Sequence, residues 1–536
     1  MNKNICKALV LGATLTMASA CSSSTPSDSG TSSAVTQLFT LEPTPDRSTL
    51  QKTATGYLAT LLADPANQEI TLVKVDPAVV SNKTQDLAVT LPNGQAAQFH
   101  LRDYNTMIPG IDGWVGYKPS AWKLQHSSTP SEIDIDPIYY LSLVREGDKV
   151  VGSVIVDGQR YRLETLEPGK YAFIKVDETK LPPEAEPLEG PKEKNKAPRS
   201  ASQSSSHSTI RVLMVSTIEA RAANPNYRPA MAQALQDANA YMANSFVDIT
   251  YELAGYFDAD YAETGKSSQL GDLTDTARPL AASVVPVREA LKADLVTMYS
   301  TTKAYCGMAF VTSNRATATS VVPCLSSMSH ELGHNLGATH NWEPGNQEGN
   351  PTYMFGYRYT GTPRFRTQMS YDCSGGTCPR VPYHSNPRLT YEGVPLGTVR
   401  NHDVARRFNE RRETVENFYS PLPILNTKVT VYDNVAMKGA SCTFDVPNVQ
   451  AIVMIEDFCP RWKSKIWSAR VEGINPKTTL RLGNRFAWHT YTSEWYPGDF
   501  DVPTLSRVEL EMPDGMTMTP HSQNLTKLVD RVYIFR

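Results

Sequence analysis

His330-Glu331-Leu332-Gly333-His334-Asn335-Leu336-Gly337-Ala338-Thr339-His340 is the stretch on which the reading of this chain turns. His330 and His334 stand four apart, which on a helix puts both imidazoles on one face, one turn apart. Glu331 sits beside them, within reach of a water at a metal without having to bind the metal. Gly337 can adopt the left-handed backbone that ends a helix and turns the chain sharply. That turn brings His340 back to supply a third nitrogen. Three protein ligands leave a fourth position open, which is the catalytic form of a zinc site. A structural zinc site is usually closed by four ligands and rich in Cys, and no fourth ligand is spaced nearby. With ten His in 536 residues, composition alone produces this five-point match with a chance on the order of one in 10^5.

Gln368-Met369-Ser370-Tyr371 follows, with Met369 lying 29 residues after His340. Together the two elements resemble the metzincin clan of zinc endopeptidases. The resemblance implies that Met369 forms an apolar base beneath the metal. It also implies that Tyr371 stands near the zinc, as the corresponding tyrosine does in astacins and serralysins. Asn341 departs from the Asp usual after the third His in animal reprolysins, and from the Glu of astacins. The surrounding text, Cys306-Gly307-Met308-Ala309-Phe310 before the helix and Ser385-Asn386-Pro387 after the Met-turn, is most similar to bacterial reprolysin-like secreted peptidases. The likeness covers residues 209–421.

The length of 536 residues makes one compact domain improbable, and 40% apolar content supports ordinary globular cores. A net charge of −3 with no long basic run argues against a nucleic-acid partner. Residues 1–20 read as a signal peptide: Lys3 and Lys7 begin it, and Ala8 to Ala20 is apolar and ends in small residues. Ala18-Ser19-Ala20-Cys21 resembles a bacterial lipobox, which implies a lipid-modified Cys21; ordinary cleavage near Ala20 and free secretion is the alternative. Residues 21–36 after it are Ser/Thr-rich and read as a flexible tether. The expected location is therefore an outer-membrane lipoprotein precursor, a secreted protein, or one after the other. Any membrane contact is expected through the lipid alone. Beyond Cys6 and Cys21, six cysteines fall into local pairs, Cys306/Cys324, Cys373/Cys378 and Cys442/Cys459. An even count in an exported chain reads as disulfides, with pairing assigned by proximity among fifteen connectivities.

The fold class expected is α+β and multidomain. Residues 37–180 lack Cys and carry short alternating runs, with Asn93-Gly94 and Asp157-Gly158 as hairpin turns and a helix over Thr49–Ala63. This β-rich domain precedes a peptidase-like one, so it reads as a propeptide that occludes the cleft; an independent scaffold or binding domain is the alternative. No Cys lies between Cys21 and Cys306, which argues against a cysteine switch for latency and points to another ligand, such as an Asp, or steric blockage. Residues 181–208 begin with Pro182-Pro183 and continue through a charged run into Ser202–Ser208. They read as an exposed, cleavable linker. In the metzincin-like domain, 209–421, the resemblance implies a twisted mixed sheet with an active-site helix. It makes Gly307–Val311 an edge strand to which an extended peptide adds antiparallel.

Residues 425–536 read as a β-sandwich. Trp462–Val471, and Tyr432 with Gly439, resemble a β/γ-crystallin segment, but Lys463, Ser464 and Trp467 stand where that family's calcium ligands would be, so no calcium is expected. Trp488, Trp495 and Tyr496 fit either a glycan-stacking platform or core aromatics.

Function follows from the motif. Zn2+ is the expected cofactor, held by His330, His334 and His340, with Glu331 as general base and Tyr371 as an oxyanion donor or a packing residue. His384 and His402 read as non-ligands. The chain is expected to be a monomeric zinc endopeptidase acting on extracellular proteins or peptides. A surface adhesin or glycan-binding protein, and a zinc amidase of non-peptide substrates, are the competing readings. The loop after Met369 carries no legible code for cleavage preference.

Overall fold

The computed structural model describes residues 35–108, 110–190, 207–264 and 268–419. Towards the C-terminus it describes 427–434, 436–446, 451–460, 462, 465–473, 479–486, 489–492, 500–502 and 531–535. Residues 1–34, which include the expected signal peptide, Cys21 and most of the expected tether, lie outside these residues, as do residues 191–206 and Trp488, Trp495 and Tyr496; the last tether position, Thr36, is already strand.

From Asp86 to Val176 the chain runs up and down as an antiparallel meander. The strands Asn67–Val75 and Phe39–Leu41 join one side and Thr36–Gln37 the other, making a ten-stranded sheet. Its hairpins form where the turn residues allow. Asp157 and Gly158 have φ of 53° and 74°, the positive values that a two-residue hairpin turn needs. The sheet curls on itself, because Leu87, Val89 and Phe99 near one edge share a core with Val73 and Phe173 near the other. Strand alternation then sends Leu141, Leu143, Val150 and Val154 inward, and Tyr140, Val144, Val151 and Ile155 to the outer face. The single helix expected over Thr49–Ala63 is two helices, Arg47–Thr53 and Gly56–Ala63. Thr55 is extended and Gly56 has φ of 57°, so the backbone breaks between them.

The second sheet has six strands, in the order Leu188–Glu189, Met308–Val311, Thr319–Val321, Leu295–Tyr299, Ser208–Ser216 and Ile249–Asp258. All neighbours are parallel except Met308–Val311 against Thr319–Val321. Alternate residues of Ser208–Ser216 feed two cores. Ile210, Val212 and Met214 meet the helices Tyr227–Asn244, Met328–Asn335 and Val404–Glu416, while Leu213 and Val215 meet Ser268–Thr274 and Pro279–Leu291. Helices thus cover both faces, as a largely parallel sheet requires.

The helix Tyr227–Asn244 is buried on opposite sides. Met231, Leu235, Ala238 and Met242 face the six-stranded sheet. Ala232, Ala240 and Tyr241 face the outer surface of the ten-stranded sheet. Polar groups lock that contact. Gln236 Nε2 donates to Ser142 Oγ at 2.9 Å and to Leu143 O at 3.1 Å, and Tyr140 donates its hydroxyl to Asp237 at 2.9 Å. A Cβ on Gly113 would lie 1.6 Å from Gln236 Oε1, so only glycine permits this approach.

Residues 183–189 correct the reading of 181–208 as exposed linker. Cys306 N donates to Pro183 O at 2.8 Å, Ala185 N donates to Gly307 O at 3.0 Å, and Leu188–Glu189 then pairs in parallel with Phe310–Val311. A polar segment with no core to bury is held here by the free backbone groups of an edge strand. At its far end the same segment gives way to strand at Ser208.

The C-terminal part contributes two four-stranded sheets. One holds Ser441–Val446, Thr427–Tyr432, Ser468–Glu472 and Phe500–Val502; the other holds Ala451–Met454, Arg531–Phe535, Thr479–Phe486 and His489–Thr492. All three local cysteine pairs are bonded, Cys306–Cys324, Cys373–Cys378 and Cys442–Cys459.

Burial pushes the Asp237 carboxyl up to about 6, against hydrogen bonds from Ser142, Tyr140 and Gln233 and the charge of Arg160. A carboxyl raised in the docked state stabilises docking fully below its ordinary value near 3.8 and loses that contribution as pH rises through about 6. After a cut within 191–206, the two pieces should stay together at pH 5 and separate more readily at pH 8 in size-exclusion chromatography. Asp237→Asn should flatten the difference; an unchanged pH profile would remove Asp237 from the interface.

Candidate active site

The helix Met328–Asn335 carries His330 and His334 and ends at Gly337, whose φ is 95°. Gly337 N donates to His334 O at 2.8 Å and Ala338 N to Gly333 O at 3.0 Å, the paired bonds of a left-handed helix stop. The chain therefore doubles back and His340 rejoins the other two. A Cβ on Gly337 would sit 2.8 Å from Arg407 Nε, so this turn has no room for a side chain either.

His330 Nε2 lies 3.0 Å from His334 Nε2 and 3.1 Å from His340 Nε2. His330 Nδ1 donates to Gln368 O and His334 Nδ1 donates to Ala338 O, each at 2.8 Å. Those carbonyls accept only, so each Nδ1 holds the proton and each Nε2 presents a lone pair. Burial lowers the basicity of all three, His334 to about 4 and His340 to about 2. Neutral imidazoles with lone pairs facing one another repel unless a cation lies between them. The donor set therefore fits a metal ion, and the three side chains form a group whose ligand atoms lie within 4.8 Å of one another. Asp372, Cys373 and Cys378 also cluster, but both sulfurs are spent in a disulfide.

Met369 lies fully buried beneath the helix, where a Cβ on Gly333 would meet its Sδ at 2.5 Å. Both oxygens of Glu331 are buried and have no hydrogen-bond partner. Burial first, and then the charge of Glu184, push this carboxyl well above the usual carboxylate range, opposed by Arg380. The Tyr371 ring lies tilted against that of His340, with centroids 4.1 Å apart, and its hydroxyl donates to Glu186 Oε1 at 2.8 Å. Asn341, the departure from the related families, accepts from Tyr371 N at 3.2 Å and so fixes the tyrosine's backbone. His384 is buried behind the helix against Phe408, and His402 bonds Thr398 and the Trp342 carbonyl; neither reaches the three imidazoles.

The sequence reading missed Glu184, Glu186, Ser327, Arg366 and Arg380. Glu184 accepts from Ser327 Oγ at 2.6 Å and pairs with Arg380 at 3.2 Å, and Glu186 lies 3.4 Å from His340 Nδ1. The alternation of Glu184 and Glu186 two apart was the available signal, since it puts both carboxylates on one side of an extended segment.

Residues 206–385 match the family model Reprolysin_5, metallo-peptidase family M12. The chain is 31% identical over 382 residues to a peptidyl-Asp metalloendopeptidase of Stenotrophomonas maltophilia strain R551-3, covering 67% of this chain and 89% of that protein. It is 32% identical over 374 residues to the protein of the same name from Xanthomonas campestris pv. campestris, covering 66% and 87%. Metalloproteinase-II from Bacteroides fragilis aligns in structure with a TM-score of 0.33 at 10% identity, over 56% of this chain and 87% of that one. The chain belongs to the bacterial reprolysin-like M12 metalloendopeptidases. Peptide-bond hydrolysis at a catalytic metal thus displaces the adhesin and the non-peptide amidase as the account of this centre.

Gly307 leads into the strand Met308–Val311 directly over Glu331: a Cβ there would stand 2.2 Å from Glu331 Oε1. Gly307→Ala should displace the carboxylate and lower the turnover number by about 100-fold, with the metal content unchanged by elemental analysis. A Gly307→Ala enzyme of ordinary turnover would mean that the Glu331 position is not critical.

Proposed function

We propose that this chain is a zinc endopeptidase of extracellular proteins, made as an exported precursor, with Glu331 as general base and Tyr371 as oxyanion donor. The observation that carries this reading is the convergence of three Nε2 lone pairs beside a carboxylate that has no other partner. Zinc held by His330, His334 and His340 supplies the Lewis acidity that activates water and polarises the scissile carbonyl. Glu331 takes the proton from the attacking water at a carboxylate oxygen and delivers it to the leaving amine. Its two buried oxygens, free of other partners, suit both transfers. The Tyr371 hydroxyl, once released from Glu186, is free to turn towards the developing oxyanion. No covalent intermediate with the protein is needed.

The names of the relatives support a substrate preference for acidic residues next to the cut bond. Residues 37–180 act as the inhibitory domain in this reading, supported by the segment 183–189 lying along the edge strand. The two C-terminal sheets are read as the layers of a β-sandwich. Cys21 is read as the lipid anchor of the precursor, which metabolic labelling with a fatty acid should detect and Cys21→Ser should abolish; absence of label on the wild type would leave simple secretion.

Glu331→Ala should keep its zinc and lose about 10²–10⁴-fold in turnover on a protein substrate. Near-native turnover would remove Glu331 from the mechanism.

A further inference from the structure

Arg380 lies in the loop that follows Met369, and its side chain is 9% exposed. Its ion-pair partner among the described residues is Glu184, whose side chain is 6% exposed, with Nη2 and Oε1 3.2 Å apart. The same carboxylate oxygen accepts from Ser327 Oγ, at the start of the active-site helix. Glu184 Oε2 and Arg380 Nε are buried and have no hydrogen-bond partner, so this carboxylate is held without being saturated. Arg366 reinforces the positive field. Its guanidinium donates to the Ser370 and Cys378 carbonyls, and burial together with Arg380 holds its basicity down to about 10. Glu184, His330 and Glu331 present ligand atoms within 4.8 Å of one another. A carboxylate in this position therefore stands beside the catalytic centre.

Two physical consequences follow. When residues 183–189 leave, Arg380 loses the carboxylate paired with it, so the open cleft favours a ligand that restores one. While they stay, they run parallel to Met308–Val311. Substrate is expected to run antiparallel, so the backbone polarity of the resident segment is reversed at the centre and its peptide bonds are not presented for attack. We propose that Arg380, with Ser327, is the receptor for an acidic substrate side chain flanking the scissile bond, and that Glu184 fills this receptor in the precursor. The proposal rests on the endopeptidase reading above and names the residues that give it acidic specificity. Arg380 acts by binding the substrate side chain.

The test uses the full chain. Cut sites in a diverse peptide library are mapped by mass spectrometry for the wild type and for Glu184→Gln. The best-cut acidic peptide is then compared with its amide isostere. Glu184→Gln should cleave the acidic peptide at least about 10-fold faster than the wild type, because the receptor is no longer occupied by a charged group. In the Glu184→Gln background the acid-to-amide ratio of kcat/KM should exceed about 10 and fall to about 1 when Arg380→Gln is added. Arg380→Lys should restore part of the ratio, since an ammonium keeps the charge without the fork. Adding Arg380→Gln to Glu184→Gln should leave zinc content and melting unchanged and raise KM for the acidic peptide far more than it lowers kcat, a split that a merely structural role for Arg380 would not produce. Should Arg380→Gln fail to fold, as judged by its zinc content and melting, Ser327→Ala in the same background must lower the ratio instead. No acidic enrichment in the library, a ratio unmoved by these changes, or a Glu184→Gln chain no faster than the wild type would overturn the proposal. A chain cut within 191–206 and freed of its N-terminal part that still cleaves no peptide contradicts the endopeptidase reading itself, so the two failures are distinct.

Discussion

Three neutral imidazoles whose Nε2 lone pairs stand 3.0–3.1 Å apart are unstable together without a cation. Much of the catalytic half of the chain serves to hold them there. The Gln368 and Ala338 carbonyls fix the two helical rings in one tautomer. The left-handed stop at Gly337 returns His340, and Gly333 lets Met369 support the helix from below. The sheet and the helix Val404–Glu416 together supply the base on which this helix rests, with Val212 of the sheet and Val404 and Phe408 of that helix in one core with Leu332. Metal affinity in such a site is bound to folding, because the ligands come together only when these contacts form.

The same edge strand that recommends a peptide substrate is already paired with the chain's own residues 183–189. Two carboxylates from that segment reach the centre in different ways. Glu186 engages Tyr371 and stands near His340; Glu184 is drawn into the charge of Arg380. The ten-stranded sheet anchors this arrangement from the other side through Gln236 and Asp237 of the helix Tyr227–Asn244. Cleft occupation and domain docking are thus parts of one connected structure.

The cluster of His330, His334 and His340 was legible in the sequence because its members are local: helix periodicity, a glycine stop and a short return bring all three together. Hairpins at Asp157-Gly158 were legible for the same reason, since turn chemistry is encoded in adjacent residues. Glu184 and Arg380 are 196 positions apart, and nothing in either neighbourhood marks them as partners. Residues 181–208 were misread over 183–189 because composition reports apolar content, whereas this docking uses backbone hydrogen bonds and charge. The helix over Thr49–Ala63 broke at Thr55 and Gly56, where an apolar pattern persists although the backbone does not.

The central claim is that His330, His334 and His340 hold one catalytic zinc. X-ray absorption at the zinc edge of the purified full chain tests it most directly. The account predicts one zinc per chain with three histidine nitrogens at about 2.0–2.1 Å and the remaining coordination from oxygen. Sulfur ligation, or active enzyme containing no metal, would contradict it.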